Sequence, residues 1–318
     1  MILSRSFLRH PEALDHPPAS TPRPSPGLAP PHPLLLWPLV ATGITAISCA
    51  SILIRLADAP ALAIASYRVG IAAVVLLPWY LFKMPANHCW NRPILGRTLL
   101  AGCFLALHFA FWIRALQLTS IASSATLVST TPLFVALFDR CCLRRRLPRY
   151  AWSGILLVVA GSMIIAENDF DFSPEALLGD LLALAGALAA AGYLLAGRSV
   201  RHTLNLTAYV LGAYSTAALF LLPLNLLSAT PLTGFSSQTY LVFVLLAVVP
   251  QLIGHTTFNW TLGFLPATTV AVLILGEPIG ATLLAYLFFG ETISLMKALG
   301  LLVVGAGIFQ VATTSSKA

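Results

Sequence analysis

From residue 34 to residue 313 the sequence is a succession of apolar stretches, each about as long as the roughly 17–25 residues an α-helix needs to cross a bilayer. They fall at 34–54, 61–82, 98–116, 121–138, 148–166, 177–197, 206–228, 240–262, 267–288 and 293–313. Hydrocarbon offers peptide groups no hydrogen-bond partner, so such stretches close their own bonds as helices. Hydrophobic residues make up 58% of the 318 and charged residues 9%. A soluble domain carries about 25% charged residues, so this chain has too little polar surface for a water-soluble fold. The expected fold is an all-α integral membrane protein with ten transmembrane helices in two inverted-topology five-helix repeats. Short connectors make consecutive helices the expected antiparallel neighbours.

The net charge of +7 could suit a nucleic-acid partner, but the basic residues sit in short clusters between apolar runs. That distribution excludes nucleic acid and names the lipid bilayer as the partner. With the N-terminus cytoplasmic, one side receives Arg5, Arg9, Arg23, Lys83, Arg92, Arg97, Arg140, Arg144, Arg145, Arg146, Arg149, Arg198, Arg201 and Lys317. The other side keeps Arg55 and Lys297, with the acidic connector Glu167, Asp169, Asp171 and Glu175. This positive-inside asymmetry predicts a multi-pass inner-membrane protein with both termini cytoplasmic. Residues 1–33 are proline-rich and read as a disordered cytoplasmic tail rather than a signal peptide; residues 314–318 form a second tail. The five cysteines, Cys49, Cys89, Cys103, Cys141 and Cys142, lack metal-ligand spacing and read as small packing residues.

The second half echoes the first. Residues 115–165 align without gaps on 261–311, an offset of 146, placing Pro132 on Pro278, Gly154 on Gly300 and Gly161 on Gly307. Proline and glycine fix backbone geometry, so these coincidences outweigh shared leucines. The two repeats are expected at 34–167 and 176–313. Five helices per repeat is an odd number, so the second repeat enters the membrane in the opposite sense, a recurrent plan of secondary transporters. Gly154 and Gly161, and likewise Gly300 and Gly307, lie on one helix face and predict close helix packing.

The run Leu262-Gly263-Phe264-Leu265-Pro266-Ala267, followed by Leu275-Gly276-Glu277-Pro278, Leu283-Leu284-Ala285-Tyr286-Leu287 and Phe289-Gly290-Glu291, resembles the second repeat of the EamA family in the drug/metabolite transporter superfamily. Ala115-Leu116 and Thr131-Pro132-Leu133 resemble the same module in the first half. The resemblance spans about residues 35–313. It implies a ten-helix carrier whose central cavity is lined mainly by spans 1, 3, 4, 6, 8 and 9. It also implies a small-molecule substrate such as an amino acid, sugar, nucleotide derivative or drug-like metabolite.

Ionisable groups at mid-membrane cost about 2.5–3.5 kcal/mol on insertion scales, so each needs a role. Glu277 precedes Pro278, whose missing N–H breaks the helix; it is a candidate for a substrate amine, for a coupling proton, or for a structural hydrogen bond. Pro132 and Pro278 are the candidate hinges. Arg68 has three readings: snorkelling, pairing with a carboxylate, or contact with an anionic substrate group. His108 and His255 occupy matching spans, one residue out of register, and either carry a proton or sit neutral and hydrogen-bonded. Tyr193, Trp112, Gln251 and Asn259 supply aromatic and amide surface for an amphipathic solute. Ser129 and Thr130, just before Pro132, stand as counterparts of the Gly276-Glu277 pair.

A membrane enzyme would need convergent catalytic groups such as H-E-x-x-H, and none is present. No cofactor or metal is implied. The expected function is transport of a small metabolite by alternating access, as an exporter of amino acids or similar solutes, with a proton as one coupling option and a monomer or homodimer as the assembly. A passive channel and a scaffold without transport are the other readings.

Overall fold

A computed structural model of the chain describes residues 31–83, 90–141, 147–166, 173–289 and 293–315. The tail before residue 31, Cys89, Cys142, Arg144-Arg145-Arg146, Glu167, Asp169, Asp171, Gly290-Glu291 and Lys317 lie outside the described residues.

Among the described residues every regular element is helical. They are α1 (Pro33–Leu56), α2 (Ala61–Phe82), α3 (Arg92–Leu118), α4 (Ile121–Val128), α5 (Thr131–Cys141), α6 (Arg149–Ile165), α7 (Pro174–Arg201) and α8 (Leu206–Leu227). Then follow α9 (Ser237–Leu246), a π-helical segment (Ala247–His255), α10 (Thr256–Thr261), α11 (Ala267–Ile274), α12 (Glu277–Phe289) and α13 (Leu295–Ser315). Nine stretches among the described residues are long and apolar enough to cross a membrane, counting α4–α5, α9–π–α10 and α11–α12 as one stretch each; α6 is an apolar helix of 17 residues.

Local chemistry sets the helix starts. An Ncap side chain accepts one of the orphan amides of the first turn. Asn91 does so for Ile94 at 2.9 Å, Ser120 for Ser123 at 2.9 Å, Asn205 for Ala208 at 2.8 Å and Ser236 for Thr239 at 3.1 Å. The outer surface carries Phe82, Leu219, Leu227, Leu302 and Phe309, all exposed, while the interior holds Arg68, Gln251 and Asn259. That inversion suits hydrocarbon and not water.

The repeat is visible in the element boundaries. α4 and α11 span equivalent residues at the offset of 146, and α5 begins 146 residues before α12. The expectation that consecutive helices pack as neighbours fails for the first helix of each half. α1 packs chiefly against the π-helical segment and α12, and α7 packs against α3, α4 and α5. Each half thus lends its leading helix to the other, which short connectors permit and do not forbid. Helices holding the same place in the two halves also meet, α2 on α8 and α6 on α13.

The α6–α13 contact shows what the spaced glycines do. A Cβ on Gly161 would lie 2.8 Å from the carbonyl oxygen of Gly300, and one on Gly307 would lie 2.7 Å from that of Gly154. The residue order is reversed across the contact, so the two helices are antiparallel. Backbone touches backbone, and only residues without a side chain allow it.

Gly161→Ala is expected to force this crossing apart and to cost about 1–3 kcal/mol, lowering the melting temperature of the detergent-purified protein. Gly70→Ala in α2, where a Cβ meets nothing within 4 Å, is expected to leave melting unchanged or raise it, by about 0.5–1 kcal/mol of helix propensity.

Candidate functional site

Three irregularities in the helices border one cavity. The first is the break between α4 and α5. Pro132 has no amide to give the carbonyl of Val128, and the Thr131 hydroxyl donates to that oxygen instead, at 2.7 Å. Ser129 donates to Ala125 O at 2.7 Å and Thr130 to Leu127 O at 2.6 Å. These hydroxyls satisfy the backbone of the broken turn.

The second irregularity is the break at Leu275-Gly276, between α11 and α12. Pro278 denies the Ile274 carbonyl its usual donor, and Ile274, Leu275, Glu277 and Pro278 all line the cavity. α1 lies tight against this break. Ser48 Oγ donates to Ile44 O at 2.8 Å and is 3.3 Å from Glu277 O, and a Cβ on Gly280 would collide with that hydroxyl.

The third is the π-helical segment. The Ncap residues Asn91 and Ser236 stand 145 residues apart, whereas Ser120 and Pro266, the Ncaps of α4 and α11, stand 146 apart. The second half has one residue more in this span. A π-helix, with its i→i+5 bonds, absorbs such an insertion and occurs often at functional sites. The amide of Thr256 bonds to the carbonyl of Gln251, five residues back.

The cavity draws on α1, α3, the α4–α5 span, α7, the π–α10 span and the α11–α12 span, with Arg68 added from α2. Its inner chamber encloses about 70 Å³ and shares the wall residues Ser51, Ile121, Ala125, Pro278 and Ala281 with a vestibule of about 390 Å³. Arg55, Ser120, Thr282 and Lys297 ring that vestibule. The same helices close at their far ends. Thr268 Oγ1 on α11 donates to Asp139 Oδ2 on α5 at 3.2 Å. Arg198 donates to Leu262 O at 2.6 Å, and buried Arg201 donates to Asn259 O at 2.9 Å and to Leu204 O.

One wall is a directed chain of buried hydrogen bonds. Tyr193 donates to Asn259 Oδ1 at 2.7 Å, and Asn259 Nδ2 donates to Tyr214 at 3.2 Å. The Tyr214 hydroxyl is 3.1 Å from Thr256 Oγ1, which is 3.3 Å from Gln251 O. The chain stitches α7, α8, α10 and the π-helical segment together. At its end, Arg68 Nε donates to Gln251 Oε1 at 2.8 Å. The Arg68 guanidinium lies over the Phe109 ring, 4.1 Å from its centroid, and is fully buried. Snorkelling is thereby ruled out for Arg68: its guanidinium is held in the core. Its two terminal nitrogens and Gln251 Nε2 have no hydrogen-bond partner among the described residues. Glu277 lines the same chamber and interacts electrostatically with Arg68.

His108, His255, Trp112, Tyr193, Asn259 and Ser129 all line the inner chamber; Gln251 reaches it through Arg68, and Thr130 is not among its lining residues. His108 stacks on Trp112 with centroids 5.8 Å apart, and its Nδ1 lies 2.9 Å from Gly186 O. His255 meets Phe109 edge-on at 5.3 Å. The offset of 146 joins His255 to Phe109, so the histidines are not equivalent positions. The same offset pairs Thr130 and Thr131 with Gly276 and Glu277. This moves the counterpart of Glu277 from Thr130 to Thr131, which lines the chamber.

Sequence reasoning missed three groups. Asp139 sits one residue past the expected end of span 4, inside α5 and buried. Asp180 lies inside α7 and accepts from Ser123 at 2.7 Å and Thr119 at 3.0 Å. Glu277 is therefore not the only carboxylate carried within a helix. Tyr214 lies in α8, a span with no sequence signal of cavity contact.

Similarity to known proteins agrees with this arrangement. The EamA-like transporter family matches residues 33–166 and 177–313. An uncharacterized transporter of Archaeoglobus fulgidus is 26% identical over 254 residues, covering 77% of this chain and 86% of its own. A "Probable amino-acid metabolite efflux pump" of Salmonella typhimurium is 27% identical over 248 residues, covering 73% and 82%. A pseudopaline exporter of Pseudomonas aeruginosa is 27% identical over 166 residues, covering 51% and 57%. One crystal structure superposes with a TM-score of 0.73 at 20% identity, over 89% of this chain and 98% of its own.

Tyr214→Phe removes the acceptor of Asn259 Nδ2 inside a closed network. It is expected to destabilise the protein by about 1 kcal/mol, between the ~0.6 kcal/mol mean for interhelical bonds in membranes and the ~1–3 kcal/mol of a stranded buried donor. Thermal unfolding in detergent measures it.

Proposed function

The chain belongs to the EamA-like transporter family, and from that premise we propose that it is an alternating-access exporter of amino acids or similar amphipathic solutes. As a member of that family it is a multi-pass membrane transporter of small molecules. The observation that carries the finer reading is the cavity: one chamber, bordered by both helix breaks, adjoining a vestibule at one end and bridged by the Thr268–Asp139 bond beyond the other.

Ten membrane passes in two oppositely oriented repeats, 34–167 and 176–313, fit the antiparallel α6–α13 contact. Equivalent helices that face each other in reverse order are what a two-fold axis in the membrane plane produces. The closed end joins α5 to α11; its counterpart under the repeat joins α4 to α12, where the vestibule lies. Exchanging these two contacts is the proposed transport step. Lys83, Arg92, Arg97, Arg140 and Arg149 share the closed end in this reading. That end is then cytoplasmic, with both termini, in an inner membrane.

The apolar walls offered by Trp112, Leu116, Ile121 and Phe258 suit a solute with an apolar side chain, and Glu277 suits an ammonium group or a coupling proton. The Salmonella typhimurium relative's name points to the same solute class. Pro132 and Pro278 serve as hinges, each at a break where helix continuity is already lost. A monomer contains the whole cavity.

In proteoliposomes loaded with labelled amino acids, Glu277→Gln is expected to reduce efflux at least tenfold while the protein inserts and melts as wild type. Wild-type efflux by this variant would remove Glu277 from the mechanism. Thr268→Val, which deletes the bond to Asp139, is expected to admit a membrane-impermeant thiol reagent from the Asp139 end to a cysteine substituted at Ser51. Unchanged labelling would overturn the assignment of this contact as a gate.

A further inference from the structure

We propose that Arg68, held in place by Gln251, forms a carboxylate-binding subsite in the inner chamber that Glu277 also lines, so that the ligand is a zwitterion held by both poles. The inference rests on the transporter reading above and specifies the chemistry of its site.

The observation is a set of unspent donors. Arg68 is fully buried, spends Nε on Gln251 Oε1 at 2.8 Å and rests its face on Phe109. Both terminal nitrogens of Arg68 and Nε2 of Gln251 stay without a hydrogen-bond partner among the described residues. A buried donor left unmade costs about 1–3 kcal/mol, and more when charged. The Nε–Oε1 bond fixes the two side chains to each other.

The Arg68–Gln251 bond also orients the guanidinium. With Nε engaged, the two terminal nitrogens remain as a planar fork, the geometry that receives a carboxylate through two parallel bonds. The Phe109 ring covers one face and holds the plane. Gln251 itself is fixed from behind, since its backbone carbonyl accepts from Thr256 and ends the Tyr193–Asn259–Tyr214 chain. Rigid donors lose little entropy on binding, which favours a small ligand.

Glu277 provides the opposite pole. It lines the same chamber and interacts with Arg68 electrostatically, yet it occupies neither terminal nitrogen. A ligand with a carboxylate and an ammonium satisfies both groups at once; an amine alone leaves the guanidinium unpaired, and an acid alone leaves the glutamate. A site built on buried polar partners rejects analogues lacking one of them far more strongly than an apolar pocket rejects a missing methylene. His108 and His255 share the chamber, but each already has an aromatic partner and His108 a backbone oxygen. The guanidinium remains the cation with open bonds.

The test is equilibrium binding to the purified full-length protein with three probes of one shape: L-phenylalanine, its carboxamide and 3-phenylpropionate. Wild type is expected to bind phenylalanine at least tenfold more tightly than either analogue. Gln251→Glu sets a carboxylate against Arg68 with little change of shape; it is expected to weaken phenylalanine at least tenfold, abolish 3-phenylpropionate binding and spare the carboxamide. Glu277→Gln is expected to give the reverse pattern for the two analogues. Arg68→Lys, which keeps the charge and loses the fork, is expected to weaken phenylalanine with normal melting. If the carboxamide binds wild type as tightly as phenylalanine, or Gln251→Glu and Arg68→Lys bind phenylalanine as wild type does, the subsite is overturned and the transporter reading stands. If wild type neither binds nor carries any of the three probes, the amino-acid reading fails and the subsite fails with it.

Discussion

Hydrocarbon cannot hydrogen-bond a peptide group, so a helix in a membrane can be broken only where protein or enclosed water takes over the freed carbonyls and amides. This chain breaks its helices at Ser129-Thr130 and at Leu275-Gly276, and expands one at 247–255. All three sites border the same cavity. At the first, the hydroxyls of Ser129, Thr130 and Thr131 cap the loosened turn. At the second, Ile274 lines the chamber and its carbonyl receives no amide from Pro278. The cavity is thus the place where irregular backbone is tolerated, and polar side chains gather there beside it.

The interlock of the halves follows from the same solvent. Lipid gives apolar helices little reason to prefer one neighbour over another, so close packing and buried polar bonds choose the partners. Glycine pairs choose α13 for α6. Asp180 on α7 finds Thr119 and Ser123 beside α3 and α4, and Arg198 and Arg201 find the carbonyls at the end of α10. α7 is anchored at both ends in this way, at one end across the boundary between repeats and at the other within its own repeat.

Much of this was legible in the residues. Span positions, the repeat offset and the packing glycines follow from apolar length and Pro and Gly coincidence; Glu277, His108, Trp112, Tyr193 and Asn259 stand out as polar or aromatic groups in apolar spans, and that their spans line a cavity is what the family resemblance implies. The swapped packing of α1 and α7 was not legible, since chain order does not dictate which helix finds which. Asp139 was lost because hydropathy ends a span at its first charge, although α5 runs on to Cys141. The π-helical segment left a trace: Pro78 and Pro223 are 145 residues apart while Pro132 and Pro278 are 146 apart. That change of offset marks one inserted residue.

Two identical halves would furnish a chamber with the same chemistry twice, fit for a solute with two like ends. Here Arg68 has Ala213 as its counterpart and Glu277 has Thr131, and the inserted residue turns one wall relative to the other. The chamber therefore has a head and a foot. Perfect duplication would also make the inward and outward forms of such a carrier equal in energy. Each departure from duplication removes that equality.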